Sequence, residues 1–227
     1  FNFCFSNYIS FNFNNWFNFI MKKKIVILGS TGSIGKSLIN IIKKDKKNFQ
    51  IVLLTAEKNY IELFKQAKLL KVKNLIVTNK KTFEYLRKKK ISKKFKIYNN
   101  YNNFNRILKT KADYTMNSIS GLDGLEPTLK IIKFTKKIAI ANKESIICGW
   151  NLINDKLKFY KTEFLPIDSE HFSINELIKK TDKKDIEKIY ITASGGPFLK
   201  KKNSSFNKIK IKNAIKHPTW KMGKKIS

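Results

Sequence analysis

The chain has 227 residues, 42% of them hydrophobic, with 48 Lys and Arg against 16 Asp and Glu and a formal net charge of +32. The length suits one large domain, or one domain plus part of another, and the apolar share is enough for a real core. A charge this high would ordinarily suggest a nucleic-acid or membrane-surface partner, yet every basic residue except Arg87 and Arg106 is a lysine, spread over nearly all segments among many Asn, Ile and Phe. Nucleic-acid readers draw on Arg for bidentate contacts, so the lysines read as cover for solvated faces, and no nucleic-acid or membrane partner is expected.

Residues 1–20, FNFCFSNYISFNFNNWFNFI, carry no charge. A signal peptide would begin basic, a transit peptide would carry Arg, and Asn interrupts the stretch too often for a membrane span. Met21 is expected to be the native start, with residues 1–20 upstream sequence; a divergent targeting leader is the alternative. Cys4 and Cys148 lie far apart without a C-x-x-C pattern, which fits a reducing compartment and neither a zinc site nor a disulfide framework.

From Met21 onward, strands and helices alternate. KIVIL (24–28) is a short apolar run of the kind a buried parallel strand needs, and a glycine-rich turn and a helix carrying Ile34, Leu38, Ile41 and Ile42 follow it. Further strands are expected at 51–55, 74–78, 94–99, 112–118 and 137–142, with helices at 60–70, after 80 and at 124–134, where Pro127 sits in a first turn. That order predicts an α/β fold with a doubly wound parallel sheet over residues 21–150. From 151 to 227 the texture changes: a long strand is expected at 187–194, then a Lys/Asn/Ser-rich stretch, too few elements to close a core. The second unit reads as part of an α+β domain, and the chain as a fragment.

Four stretches carry chemistry. GSTGSIG (29–35) follows the first strand and opens a helix, so its glycines admit a tight turn and the helix N-terminus offers unpaired N–H groups to a pyrophosphate. At the tip of the second strand, TAEKN (55–59) puts acidic Glu57 beside basic Lys58, leaving the choice between NAD and NADP open. IANKES (140–145) places Asn142, Lys143 and Glu144 at a strand's carboxyl end, where doubly wound sheets bind ligands; a turn with an N-cap is the plainer reading. In PIDSEH (166–171), extended backbone would put Asp168 and Glu170 on one face around a hard divalent cation, with Ser169 toward a substrate, whereas a helix cap is the competing reading. Two supporting stretches are TASGGPF (192–198), with Ser194 at a strand end beside paired glycines, and HPTWKMG (217–223), with His217, Trp220 and Met222 in a loop that suits a lid or a buried anchor.

ILGSTGSIG, ANKES, PIDSEH, SGGPF and HPTWKMGKKIS, in this order and at these spacings, resemble the 1-deoxy-D-xylulose 5-phosphate reductoisomerase family over residues 21–227. The resemblance implies an NADPH-binding Rossmann-like domain, a divalent metal (Mg²⁺ or Mn²⁺), a homodimer, and a bacterial cytoplasm or a plastid-type organelle. It implies rearrangement of 1-deoxy-D-xylulose 5-phosphate and reduction to 2-C-methyl-D-erythritol 4-phosphate, a step of non-mevalonate isoprenoid biosynthesis. Carried over by position, Thr31, Gly32, Ser33 and Ile34 would hold the cofactor pyrophosphate, and Ala56, Lys58 and Asn59 the adenosine 2′-phosphate. Asn142, Glu144 and Gly223 would lie at the cofactor, and Lys143, Ser169, Ser194 and His217 at the substrate. Trp220 would belong to the lid, and Asp168 and Glu170 would bind metal. Glu57 stands where many members have Gly. In the family the residues that follow supply a Ser, an Asn, a Lys, a third metal-binding carboxylate and a helical domain, so residues 1–227 alone are expected to be inactive. The alternative from a different class is a dinucleotide-binding module without chemistry, its carboxylates acting as caps.

Overall fold

β1 (Lys23–Leu28) sets the architecture. Its side chains alternate, Ile25 and Ile27 entering one core and Val26 and Leu28 another, and all four are nearly inaccessible to solvent. A strand buried on both faces needs a continuous apolar run, which is what a parallel sheet wrapped by helices demands. The computed structural model describes residues 22–89, 94–167, 169–191, 195–202, 206–207 and 209–215, and of Ser169 the backbone alone. The chain divides into two compact units between Phe172 and Ser173.

In the first unit, β1 is followed by α1 (Ser33–Lys44), β2 (Phe49–Ala56), α2 (Tyr60–Leu69), β3 (Asn74–Val77), α3 (Lys80–Lys88) and β4 (Lys96–Tyr98). Then come a short α4 (Phe104–Ile107), β5 (Ala112–Asn117), α5 (Leu125–Ile131), β6 (Thr135–Ile140), α6 (Lys143–Tyr160) and β7 (Glu163–Leu165). Every strand pair is parallel, and the order is β4-β3-β2-β1-β5-β6-β7. The order runs one way from β1 to β4 and reverses between β1 and β5, so the switch point of a doubly wound sheet lies there. Buried residues of α1, α2 and α3, among them Ile39, Leu63 and Leu86, close one face. Ile131 of α5 and Ile153 and Leu157 of α6 close the other. The register between β1 and β2 slips by one residue at Ile25/Val26, a bulge that leaves Ile51 in the first core and Leu53 in the second.

The doubly wound sheet expected from the sequence is present, with four differences in detail. In α1, Ile42 is buried and Leu38 packs against the first core as expected, but Ile34 and Ile41 are exposed, and Gly35 and Ile39 face inward in their place. Residues 187–191 pair with no strand, and Ile189, Tyr190 and Ile191 are exposed; the strand expected at 187–194 is absent from its described part. α7 (Ser169–Ile178) begins where extended backbone was considered, so side-chain alternation cannot place Asp168 and Glu170 on one strand face. The boundary expected at residue 150 falls inside α6, and β7 joins the sheet beyond it. In the second unit the described residues include α8 (Ile211–Ala214), and no described residue after Thr162 is buried.

Candidate active site

The loop between β1 and α1 is built from the backbone outward. Gly29 has φ +75°, and a Cβ there would stand 3.0 Å from the Ser118 carbonyl and the Ile119 nitrogen. At Gly35 a Cβ would meet the Gly29 oxygen and the Ser30 Cα at 2.6 Å, so the first turn of α1 sits directly on the loop. Both positions therefore exclude a side chain, one by backbone conformation and one by space. Three neighbours hold the loop. The Gly29 N–H donates to Thr55 Oγ1 (2.9 Å) and the Ser30 N–H to the Thr55 carbonyl (2.9 Å). Ser118 Oγ donates to the carbonyls of Leu28 (2.7 Å) and Gly29 (3.0 Å). Gln66 Nε2, from α2, donates to the Ser30 carbonyl (3.0 Å).

α1 starts at Gly32 without a side-chain cap. The N–H groups of Thr31, Ser33 and Ile34 make no hydrogen bond to another described residue. A helix N-terminus with free N–H groups attracts an anion through the dipole and direct donation. The loop opens on a cleft of about 640 Å³ at the carboxyl ends of β1, β2 and β5, lined among others by Thr31, Gly32, Ala56, Glu57, Tyr101, Ser118, Ile119, Asp123 and Glu126. Burial pushes the Tyr101 phenol up to about 12 against a hydrogen bond with Thr55, so it stays neutral in the cleft.

Of the residues proposed for a cofactor, Thr31, Gly32 and Ala56 line this cleft. Ser33 and Ile34 open α1 beside it. Lys58 and Asn59 follow β2 on the surface, and Asn59 Oδ1 is engaged in capping α2 by accepting from the Glu62 N–H (3.2 Å). Buried Asn142 donates from Nδ2 to the Ile119 carbonyl (2.6 Å), tying the β6 end to the turn after β5, while its Oδ1 has no partner among the described residues. Glu144 is exposed in the first turn of α6.

Lys143, at the start of α6, lines a second, mostly apolar cavity of about 320 Å³ with Trp150, Phe164 and His171. This cavity joins the IANKES (140–145) and PIDSEH (166–171) segments, through Lys143 on one side and Pro166 and His171 on the other. Glu170 is half-buried in the first turn of α7. Among the described residues no three His, Cys, Asp or Glu side chains come together as metal ligands. Asp168, Ser194, His217, Trp220 and Gly223 lie outside the described residues, as does the side chain of Ser169.

Sequence reading passed over Thr55, Gln66, Tyr101, Ser118, Ile119 and Asp123. A signal existed for two of them: Ser118 ends, and Ile119 follows, the strand expected at 112–118, at the carboxyl end where such sheets bind ligands. None existed for Gln66, whose tie to Ser30 spans 36 residues.

Comparison with known proteins agrees with this geometry. Residues 25–149 match the family described as 1-deoxy-D-xylulose 5-phosphate reductoisomerase, and residues 164–227 match its C-terminal domain. The reductoisomerase of Pelagibacter ubique is 59% identical over 207 residues, covering 90% of this chain and 53% of that protein. That of Wolbachia from Culex pipiens is 40% identical over 206 residues, covering 90% of this chain and 52% of that protein. The reductoisomerase of Zymomonas mobilis in complex with NADPH superposes with a TM-score of 0.77 at 29% identity, over 86% of this chain and 52% of that one. A reductoisomerase in complex with NADPH, fosmidomycin and magnesium gives 0.72 at 28% identity, over 89% and 52%. The chain thus spans about half the length of the curated relatives it matches. Within that span, a glycine loop at the switch point of a seven-stranded parallel sheet and two consecutive family matches agree, and the chain belongs to the 1-deoxy-D-xylulose 5-phosphate reductoisomerase family.

Proposed function

We propose that this chain is the NADPH-binding and part of the metal-binding portion of an enzyme that rearranges 1-deoxy-D-xylulose 5-phosphate and reduces it to 2-C-methyl-D-erythritol 4-phosphate in non-mevalonate isoprenoid biosynthesis. The observation that carries this is the uncapped start of α1, whose first N–H groups have no partner among the described residues and which stands at a cleft lined by Thr31 and Gly32 at the β1/β5 switch point. Those donors fit a pyrophosphate, and the relatives' structures in complex with NADPH support the cofactor's identity. NADPH would supply the hydride, and a divalent cation, Mg²⁺ or Mn²⁺, would polarise the substrate's oxygens.

The chain's own residues would divide the work as follows. Thr31, Gly32, Ser33 and Ile34 bind the pyrophosphate, while Ala56, Lys58 and Asn59 flank the adenosine 2′-phosphate. Asn142, Glu144 and Gly223 lie along the cofactor. Lys143, Ser169, Ser194 and His217 hold the sugar phosphate, and Trp220 covers it against water. Asp168 and Glu170 are hard oxygen donors suited to Mg²⁺ or Mn²⁺. The complete protein would act as a homodimer in a bacterial cytoplasm or a plastid-type organelle, with small-molecule partners and neither nucleic acid nor membrane; no helix among the described residues is long and apolar enough to cross a membrane.

Calorimetric titration with NADPH is the test. Saturable binding is expected in the wild-type chain and in Asp168→Asn and Glu170→Gln, with Mg²⁺-dependent binding of fosmidomycin, the ligand in a relative's structure, lost in both variants. NADPH binding with analogue binding indifferent to both substitutions would favour the dinucleotide-binding module without chemistry. No NADPH binding at all would sink the proposal.

A further inference from the structure

Gln66 of α2, 3% exposed, is one of three buried polar side chains, with Thr55 and Ser118, that reach the phosphate loop from outside it, and it is the one that holds the Ser30 carbonyl. Its Nε2 donates both hydrogens, to the Ser30 carbonyl (3.0 Å) and to Glu62 Oε1 one turn back (3.2 Å). Its Oε1 is buried with no partner among the described residues. An unpaired buried carbonyl costs stability, and an apolar side chain of similar size would avoid that cost. The amide therefore calls for a reason beyond packing.

The peptide geometry supplies one. No peptide bond among the described residues is cis. In a trans peptide the C=O and the following N–H point in opposite directions. Drawing the Ser30 carbonyl inward onto Gln66 turns the Thr31 N–H outward, toward the cleft that Thr31 lines. Thr55 fixes the peptide before it through the Ser30 N–H, and Ser118 fixes the carbonyl of Gly29. The Ser30–Thr31 peptide is thus clamped, and Gln66 holds the end that decides which way the first free donor points.

We infer that Gln66 is a positioning residue for the pyrophosphate loop: by binding the Ser30 carbonyl it aims the Thr31 N–H at the cofactor's phosphates. The inference rests on the NADPH reading of the cleft. It acts through the loop and touches no ligand, so its effect is confined to ligands that carry a pyrophosphate.

The test is Q66L in the 227-residue chain, titrated with NADPH and with adenosine 2′-monophosphate, which has the ribose 2′-phosphate and lacks the pyrophosphate. NADPH is expected to bind about tenfold more weakly, the change that corresponds to one lost hydrogen bond, with adenosine 2′-monophosphate held within about twofold. NADPH affinity unchanged, or both ligands weakened in parallel, overturns the inference. If Q66L does not fold, Q66M replaces it, since an unbranched apolar side chain keeps the shape and cannot donate to Ser30. If the wild-type chain binds neither ligand, the cofactor reading fails on its own, and amide hydrogen exchange decides the positioning role. Faster exchange at Thr31–Ile34 in Q66L, with β1 and β2 unchanged, upholds it; unchanged exchange there overturns it.

Discussion

At the scale of single residues, the site is a set of exclusions and ties. Gly35 shows the first: its missing Cβ is the space the Gly29 oxygen and the Ser30 Cα occupy, 2.6 Å from where that carbon would be. Gly35→Ala must displace backbone, and overpacking of that kind costs about 1–3 kcal/mol. Urea unfolding is expected to show that loss, with NADPH affinity falling alongside it. Asp113 shows the second. Its Oδ2 accepts from the Lys24 N–H of β1 (2.8 Å) and its Oδ1 pairs with Lys136 of β6 (2.8 Å). Burial alone would raise its pKa, but these two donors outweigh it and hold the carboxyl below the usual range. A folded pKa below the unfolded one stabilises the protein above the unfolded value, near 4, and that contribution fades as pH falls through the folded value. Asp113→Asn is thus expected to lower stability by roughly 1 kcal/mol at pH 7 and progressively less in acid, as followed by denaturant melts across pH. Glu57 lines the cleft where a 2′-phosphate would lie, an acid facing an anion. Glu57→Gly should tighten NADPH binding several-fold more than NADH binding, read by parallel titrations. The glycine loop was legible because its whole chemistry sits in seven consecutive residues. Gln66 was not, since its role appears when chain 36 residues away folds back beside it.

At the scale of elements, helix starts divide into capped and open. α2 is capped by Asn59 and α3 by Asn79, whose Oδ1 accepts from the Thr82 N–H at 3.0 Å. α1 is left open at the candidate phosphate site. Asn79→Ala should cost about 1 kcal/mol in thermal or urea unfolding and leave NADPH affinity alone. Asn59→Ala should cost a similar amount and also weaken NADPH, because the helix it steadies carries Gln66. The parallel strands could be read from the sequence because burial on both faces writes a continuous apolar run, KIVIL being the clearest. The same signal misled at 187–191, where Ile189, Tyr190 and Ile191 form an apolar run yet stay exposed and unpaired. Propensity marks a segment fit for a sheet but does not supply the neighbouring strand. In PIDSEH, local pattern could not arbitrate between strand end and helix start; α7 resolves it from Ser169 onward.

At the scale of the whole molecule, the first unit carries both cores and the second, among its described residues, carries none. The chain spans about half of its relatives, so the 227 residues are expected to bind NADPH without turnover, and a polypeptide carrying the relatives' remaining half is expected to oxidise NADPH when given substrate and Mg²⁺. Absorbance of NADPH followed in both preparations checks this. The sheet's order has a further consequence, for how the chain is made. Of the seven strands of the sheet, β1 to β4 are synthesised before the rest, and they can assemble into one half of it with β1 as its outer strand. The strand that covers that edge, β5, begins at Ala112, so nearly ninety residues separate the exposed apolar edge from its partner, by count from Lys23. Until β5 emerges, a nascent chain carries β1 with one edge open, of the kind that templates aggregation. Among the described residues the outer strands of the sheet, β4 and β7, are three residues each, a length that limits pairing with another chain. The hazard at the β1 edge is therefore one of timing, closed when β5 docks.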